Sequence, residues 1–212
     1  MKTIVYIDGF NFYYSTYRNP RKREANSYKW LDFKKLLNNL LHDKHEIVAI
    51  KYYTADVSGK NDPDQPTRQQ TYLRALKAYI PELEIHKGMF LTSEKYMPKV
   101  DGSGNELILY TEEKGSDVNL AVHLLNDGYK DLYSCAVLLS NDGDLREALK
   151  LTKNELGKTI GWILPKWTNI RSNELRHYTD FYRSFGLQKL IDAQLPSTIP
   201  GTNIRKPDRW NI

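Results

Sequence analysis

Cysteine is nearly absent from this sequence, and the one that occurs, Cys135, lies inside an apolar run. A single cysteine excludes a disulfide framework and a cysteine-ligated zinc site, and it is typical of a reducing compartment. No apolar run reaches 18 residues, and the chain arrives at its first acid, Asp8, after only seven residues. We therefore expect no membrane span, no signal peptide and a cytoplasmic location.

A compositional break between two full domains is also missing. The 212 residues are enough for one sizeable core. We expect a single domain over residues 1–187 and a tail over residues 188–212, in which Pro196, Pro200 and Pro207 recur among Ser, Thr and Gly. The tail is predicted to have little helix, and the sequence leaves open whether it is disordered or folds back through Trp210.

The net charge is +5, from 31 Lys and Arg against 26 Asp and Glu. This balance suits a polyanionic partner, although many soluble proteins share it. Positive charge gathers in residues 18–23 and again in residues 205–210, and the first of these runs follows the aromatic segment 10–17. Two interpretations stay open for that region: a surface that stacks unpaired bases and holds phosphates, or core aromatics followed by a solvated loop. The general burial of apolar side chains favours the second.

Residues 134–145 are the most informative stretch. Cys135 to Leu139 form a continuous apolar block too short for a helix, which predicts a strand buried on both faces, as in a parallel sheet. Ser140-Asn141-Asp142-Gly143-Asp144 has turn and N-cap chemistry, and apolar residues at helical spacing follow it. Asp142 and Asp144 are therefore predicted at the carboxyl end of a central strand, where open α/β sheets bind ligands.

Two more acids are expected at comparable places. Residues 3–7 are a β-rich apolar run that leads directly into Asp8. Asp117 follows Ser116, a natural N-cap, in the first turn of a predicted amphipathic helix. Spacing alone does not bring these acids together with Asp142. For Asp117 and Asp144 a simpler role also stays open, because acids in first turns cap helices and favour the helix dipole.

The remaining pattern alternates strands and helices, which predicts parallel βαβ units with helices on both faces of the sheet. A β-ribbon return is expected over about residues 92–112, inserted near the ligand-binding edge. The segment from Ser172 to Phe185 is predicted as the last helix.

Four carboxylates close together repel one another unless a cation lies among them. Oxygen ligands without His or Cys favour Mg²⁺ or Mn²⁺, which activate water and stabilise the charge that develops on a phosphodiester. Hydrolysis of nucleic acid follows as a hypothesis. In it Asn11 orients a carboxylate or a water, and Ser140 donates to a phosphate at the helix start.

Three segments in this order resemble the motifs of NYN domains, the PIN-like nuclease relatives that include the LabA group: Tyr6 to Asn11, Lys114 to Ala121 and Leu139 to Leu145. The likeness spans about residues 1–185. It implies an α/β fold, the PIN-like three-layer α/β/α sandwich with a mostly parallel central sheet, and Mg²⁺- or Mn²⁺-dependent ribonuclease chemistry. In these motifs Asp8, Asp117 and Asp142 match the metal-binding acids, Asp144 matches an additional acid, and Asn11 and Ser140 match further positions.

We therefore expect a metal-dependent ribonuclease of the endonuclease type that acts on single-stranded RNA. The expected metal ligands are Asp8, Asp117, Asp142 and Asp144, with Asn11 as a further catalytic residue. RNA is expected to contact Ser140, Lys114, Arg18, Arg21, Lys22 and Arg23.

Two alternatives compete with this interpretation. The main one is an RNA-binding or regulatory module with little turnover. A phosphatase-like enzyme with Asp8 as nucleophile is disfavoured, because Asp8-Gly9-Phe10 lacks the second acid two residues on that such enzymes use. A homodimer is compatible with the sequence, and no membrane partner is expected.

Overall fold

Parallel strands form the central sheet of the structure, a computed structural model that describes residues 1–60, 62–168 and 173–210. In chain order the strands are β1 (Lys2–Asp8), β2 (Glu46–Thr54), β3 (Leu83–Lys87), β4 (Met89–Pro98), β5 (Asn105–Lys114), β6 (Cys135–Leu139), β7 (Thr159–Pro165) and β8 (Phe181–Phe185). Six of them make one sheet in the order β3-β2-β1-β6-β7-β8, in which every neighbouring pair is parallel. β4 and β5 form a separate antiparallel ribbon.

Helices cover both faces of the sheet. They are α1 (Gly9–Tyr17), α2 (Phe33–Asn38), α3 (Gln65–Tyr79), α4 (Ser116–Tyr129), α5 (Arg146–Asn154), α6 (Asn173–His177) and α7 (Leu187–Asp192). Short 3₁₀ segments occur at Pro20–Ser27, Gly143–Leu145 and Asp208–Trp210. Among the described residues, none of the helices combines the length and the apolar character needed to cross a membrane.

Alternate side chains of the central strands pack into two separate hydrophobic cores, one on each face of the sheet. On β1, Val5 and Ile7 join the core formed with α1, α2, α3 and α7, whereas Ile4 and Tyr6 join the core formed with α4, α5 and α6. A strand with both faces covered reads as a continuous apolar run, which is why residues 3–7 and 135–139 could be recognised as central strands. The expected three-layer α/β/α fold with a parallel sheet is confirmed.

The prediction of a last helix over residues 172–185 is wrong for the second half of that segment. The described part of the segment consists of α6 and then β8, which pairs parallel with β7 from Gly161 opposite Phe181 to Pro165 opposite Phe185. Ser172, where the helix was expected to begin, lies outside the described residues. Aromatic side chains favour strands, and β7 offers an unpaired edge, so pairing with the sheet determines the structure of residues 181–185.

The ribbon and the tail complete the fold. β4 and β5 pair from Met89 opposite Lys114 to Pro98 opposite Asn105, so the ribbon extends slightly beyond the expected residues 92–112. The tail folds back: Leu195 and Ile199 are buried in the α1–α3 core, and the Trp30 Nε1–H donates to the Pro196 carbonyl at 2.8 Å.

Candidate active site

The carboxyl ends of β1 and β6 lie side by side where the strand order reverses. β1 pairs with β6 up to Ile7 opposite Leu139, and it pairs with β2 on its other side. The loops that leave β1 and β6 therefore diverge to opposite layers, which opens a crevice at this edge of the sheet. Asp8 ends β1, and Asp142 follows β6 by three residues.

Three of the predicted acids converge in this crevice. One oxygen from each of Asp8, Asp117 and Asp142 lies within 4.8 Å of the other two. Asp8 is 4% exposed, and Asp117 and Asp142 are partly buried. None of the ion pairs between described residues involves these three carboxylates, so the positive side chains of this chain do not neutralise them there.

Asp8 is fixed by a donor on each carboxylate oxygen. As the N-cap of α1, it accepts the Asn11 backbone N–H at 2.9 Å through Oδ1. Its Oδ2 accepts the Ser140 hydroxyl at 2.9 Å. The residue that follows must be small, because a Cβ at Gly9 would lie 2.6 Å from the Tyr53 carbonyl oxygen and 2.8 Å from the Tyr52 ring. The Asp-Gly sequence therefore allows β1 and α1 to meet tightly against β2.

Asn11 and Ser140 join the β1 and β6 loops. The Asn11 side-chain oxygen accepts the Asn141 backbone N–H at 2.9 Å, and the Ser140 hydroxyl accepts the Asp142 N–H at 3.1 Å. Ser140 is fully buried and donates its hydroxyl hydrogen to Asp8. The expected contact of Ser140 with a phosphate stays a prediction. The contacts of both residues position the acids.

Asp117 is brought to the crevice by the start of α4. The N-cap, Gly115, has φ +96°, a conformation that favours glycine. Capping comes instead from Glu113, which accepts the Ser116 N–H at 3.2 Å and the Ser116 hydroxyl at 2.6 Å. Sequence reasoning missed Glu113, although its spacing of three residues before Ser116 is compatible with such a contact.

Burial and mutual repulsion raise the pKa of two of these acids. Burial raises the pKa of Asp8 to about 7; the Asn11 and Ser140 hydrogen bonds oppose this shift, and the charges of Asp117 and Asp142 add to it. The pKa of Asp117 is raised first by burial, then by Asp142, Glu113 and Asp144. This cluster of acids carries an electrostatic cost that a bound cation would remove.

The donor set fits Mg²⁺ or Mn²⁺. The three converging groups are carboxylates, and these hard cations prefer oxygen ligands. Both oxygens of Asp8 retain free lone pairs beyond the hydrogen bonds that they accept.

The crevice opens into a cavity of about 300 Å³ with one acidic and one aromatic side. Phe10, Tyr14 and Phe90 line the aromatic side, and the Phe10 and Phe90 ring centroids are 5.6 Å apart in an edge-to-face arrangement. A larger depression of about 410 Å³ lies at the other end of the ribbon from Phe90 and does not include the acids that converge. The aromatic side gives the acidic cavity a surface on which a flat ring can stack.

Comparison with known sequences identifies the family. A sequence model described as the NYN domain matches residues 2–185, which include all three converging acids. The chain belongs to the NYN domain family. The expected resemblance is thereby confirmed, and the family implies a nuclease-like fold.

Two further comparisons identify one sequence and one solved structure that resemble this NYN domain. The sequence is 30% identical over 241 aligned residues to 6-hydroxy-3-succinoylpyridine 3-monooxygenase HspA of Pseudomonas putida (strain DSM 28022 / S16), covering 99% of this chain and 75% of that protein. A crystal structure of a Vibrio parahaemolyticus RIMD 2210633 protein of unknown function superimposes with a TM-score of 0.56 at 19% identity. That match covers 92% of this chain and 96% of the other, and it supports the fold alone.

Asp144 of this NYN domain lies outside the converging triad. It is exposed, and its backbone N–H donates to the Asp142 carboxylate at 3.0 Å, which makes Asp142 the cap of the short 3₁₀ segment. Its own charge acts on Asp117. The sequence expectation that Asp144 binds the metal directly stays a prediction.

The predicted RNA-binding cations lie beside the cavity or beyond it, and none of them lines it. Lys114 pairs with Glu112 at 3.1 Å on the ribbon. Arg18 follows α1, whose nine residues span about 14 Å from Asp8. In the adjoining 3₁₀ segment, Arg21 and Arg23 are exposed and Lys22 pairs with Glu24 at 3.5 Å.

A basic cluster that combines separate parts of the chain lies beside the aromatic side of the cavity. We define it as Arg18, Lys29, Arg68 and Arg209. Burial lowers the pKa of Lys29 to about 8, and the charges of Arg18, Arg209 and Arg68 lower it further, against the opposing charge of Asp62.

Contacts tie this cluster to the cavity. The Asp62 Oδ2 atom accepts from both Arg68 and Arg209, the latter at 2.9 Å. The Lys29 ammonium lies 5.3 Å from the Tyr13 ring centroid, and the Tyr13 ring lies 5.6 Å from that of Tyr14. Lys29 and Arg68 are isolated in sequence, and Arg209 comes from the tail, so only the folded chain assembles the cluster.

Proposed function

We propose that this NYN domain is a metal-dependent ribonuclease that hydrolyses single-stranded RNA. The observation that carries the proposal is the convergence of Asp8, Asp117 and Asp142 from three distant segments within 4.8 Å. The family supports nuclease-type chemistry, and the all-oxygen donor set supports Mg²⁺ or Mn²⁺ as the cofactor.

The three acids would hold the cation, with Asp144 as a further acid at the rim. When bound, such a cation polarises a phosphodiester and provides an activated water. The protein's part is to keep the acids in place: Ser140 and the Asn11 backbone fix both oxygens of Asp8, and Glu113 fixes the start of α4 that carries Asp117. This arrangement is set before substrate binds, which lowers the cost of organising the site.

The RNA strand would run from the acids over the aromatic side to the basic cluster. Phe90, Phe10 and Tyr14 provide faces on which unpaired bases stack. Tyr13 connects Tyr14 to Lys29 through ring and cation–π contacts, and the cluster carries four cations against Asp62. Gathering like charges is costly, and the phosphates of a strand would offset that cost.

The test is cleavage of a fluorescently labelled single-stranded RNA in Mn²⁺ by the wild-type chain, Asp8→Asn and Asp142→Asn. We expect both variants to lose at least 100-fold in rate, because each removes a ligand charge from the triad. Asp43→Asn is the matched control, since Asp43 is exposed and lies in a turn after α2.

Each outcome separates the alternatives. Equal cleavage by all four proteins would identify a contaminating nuclease. Binding of RNA without cleavage by the wild type, across Mg²⁺ and Mn²⁺, would favour an RNA-binding module. Retention of label on Asp8 from a phosphomonoester would favour phosphotransfer.

A second candidate function, ring hydroxylation, is favoured by one observation, the 30% identity to the named monooxygenase over 99% of this chain. The aromatic side of the cavity also suits a flat pyridine ring. A monooxygenase places one oxygen atom of O₂ on the ring and reduces the other to water with two electrons. We would therefore measure oxygen uptake with NADH and 6-hydroxy-3-succinoylpyridine. Substrate-dependent uptake together with absent RNA cleavage would assign this activity instead.

A further inference from the structure

We propose that the β4–β5 ribbon is a dimerisation arm that packs on helix α4 of a second copy of this chain. The first observation is where exposed apolar side chains lie. Of the seventeen exposed large hydrophobic side chains in the described residues, thirteen fall between Met89 and Leu132. Apolar exposure this concentrated marks an interaction surface.

One face of the ribbon carries much of this exposure. Side chains on a ribbon alternate between faces, so Tyr96, Leu107 and Leu109 share one face beyond the cavity, which we call the arm face. On it Tyr96 is 72% and Leu109 65% exposed. The opposite face is mixed. Its exposed apolar side chains alternate with charged ones, among them Lys95, which pairs with Glu112 and lies 4.2 Å from the Tyr110 ring centroid.

The outer side of α4 presents a second apolar stripe. Val118, Val122 and Tyr129 recur at helical spacing and are 66%, 55% and 77% exposed. The arm face is equally exposed, so the two surfaces do not cover each other within one copy. A helix that packs on a sheet through one side ordinarily turns polar residues outward, and this stripe departs from that pattern.

Size and symmetry favour a second copy as the occupant. The ten-residue strands span about 34 Å, longer than the roughly 21 Å of α4, so an arm can cover the whole stripe. The six side chains of the arm face and the stripe leave roughly 770 Å² exposed, at roughly 200 Å² for a fully exposed large side chain, which is close to what a stable interface buries per partner. In a dimer with two-fold symmetry, the arm face of each copy packs on the α4 stripe of the other, so both surfaces of both copies are buried at once.

Charge argues against RNA on the arm face. Residues 89–114 contain five acids and three lysines, a net charge of −2, while the rest of the chain carries +7. The arm face itself carries Glu94 and no Lys or Arg, so it offers nothing to hold phosphates.

The first test is analytical ultracentrifugation over roughly 1 to 100 µM, the range of ordinary protein dimers. We expect a wild-type mass twice the chain's 24.7 kDa. Leu109→Lys and Val122→Lys should each raise the dimer dissociation constant at least tenfold. Tyr79→Lys is the matched control, because Tyr79 is an exposed apolar side chain on α3 and its substitution should leave the dimer intact.

A disulfide cross-link tests the geometry. Leu109→Cys and Val122→Cys proteins, mixed and oxidised, should yield a linked heterodimer, and the native Cys135 is buried and does not interfere. A monomeric wild type, or a Leu109→Lys protein that stays dimeric, would overturn the proposal. Linkage of Leu109→Cys only to itself would replace it with an arm-to-arm contact. A monomer that loses RNA binding with Leu109→Lys would assign the arm face to nucleic acid instead.

Discussion

Ser140 illustrates how a single buried hydroxyl organises this site. It donates to Asp8 and accepts from the Asp142 backbone N–H, so it connects two of the three acids. A residue that orients a metal ligand typically changes metal affinity by 10–100-fold when it is removed.

We therefore expect Ser140→Ala to weaken Mn²⁺ binding by about 10–100-fold with the fold retained. The measurement is calorimetric titration with Mn²⁺, accompanied by circular dichroism. Ser15→Ala is the control, because the Ser15 hydroxyl donates to the Phe12 carbonyl of its own helix. Unchanged Mn²⁺ affinity in Ser140→Ala would show that the hydroxyl is not needed to orient Asp8.

The raised pKa of Asp8 makes the stability of the metal-free protein depend on pH. The pKa is about 7 in the folded state against 3.8 for a free aspartate side chain, so the folded state binds the proton more tightly. Its contribution is fully present below about pH 4 and is lost as the pH rises through 7. One pKa unit corresponds to about 1.4 kcal/mol, so the loss is at most about 4 kcal/mol.

In EDTA, the melting temperature of the wild type should therefore fall relative to that of Asp8→Asn between acidic and neutral pH. The difference between the two proteins isolates the Asp8 contribution from other titrating groups. Added Mn²⁺ should restore the wild-type value at neutral pH, because a ligand that binds the folded state stabilises it. Parallel curves for the two proteins would contradict the assigned pKa.

At the scale of elements, the start of α1 depends on close contact with β2. Asp8 caps the helix, and Gly9 leaves no room for a Cβ against Tyr52 and Tyr53. The same contact sets where the Asp8 carboxylate points, so packing and site geometry are coupled at this position.

Gly9→Ala should lower the free energy of unfolding by about 1–3 kcal/mol, because the added methyl overpacks a contact made by backbone. Urea unfolding measures the change. Gly186→Ala is the control, since a Cβ there has its nearest neighbour at 3.9 Å, an ordinary contact. Equal stabilities for the two variants would mean that β1 and α1 adjust freely.

At the scale of the whole molecule, the tail takes part in the basic cluster. Arg209 comes from the last described 3₁₀ segment, Arg68 from α3 and Arg18 from the end of α1. Trp210 lies 6.2 Å from Trp30 between ring centroids, which holds this end of the tail on the domain.

In the Asp8→Asn background, which separates binding from cleavage, Lys29→Ala and Arg209→Ala should each weaken RNA binding several-fold. Each should also reduce the slope of log affinity against log salt by about 0.7, since one phosphate contact is lost on a single strand. Fluorescence anisotropy at several salt concentrations measures both quantities. Arg74→Ala, an exposed arginine on the same helix as Arg68, should change neither.

Local patterns in the sequence determined the central strands, the three acids and the family. Continuous apolar runs predict strands buried on both faces, and Asp8, Asp117 and Asp142 each follow such a strand or begin a helix. These signals are local, because burial and capping depend on neighbours in the chain. The β-ribbon and the parallel sheet with helices on both faces were predictable for the same reason.

Only the tertiary structure decided what depends on pairing between distant segments. Residues 181–185 form β8 because they pair with the edge of β7. The tail folds back because Trp30 donates a hydrogen bond to it and because its apolar side chains are buried in the α1–α3 core. The basic cluster combines four segments, and no local pattern encodes their meeting. The distances among the acids are likewise set by strand register and helix packing, which act across the whole chain.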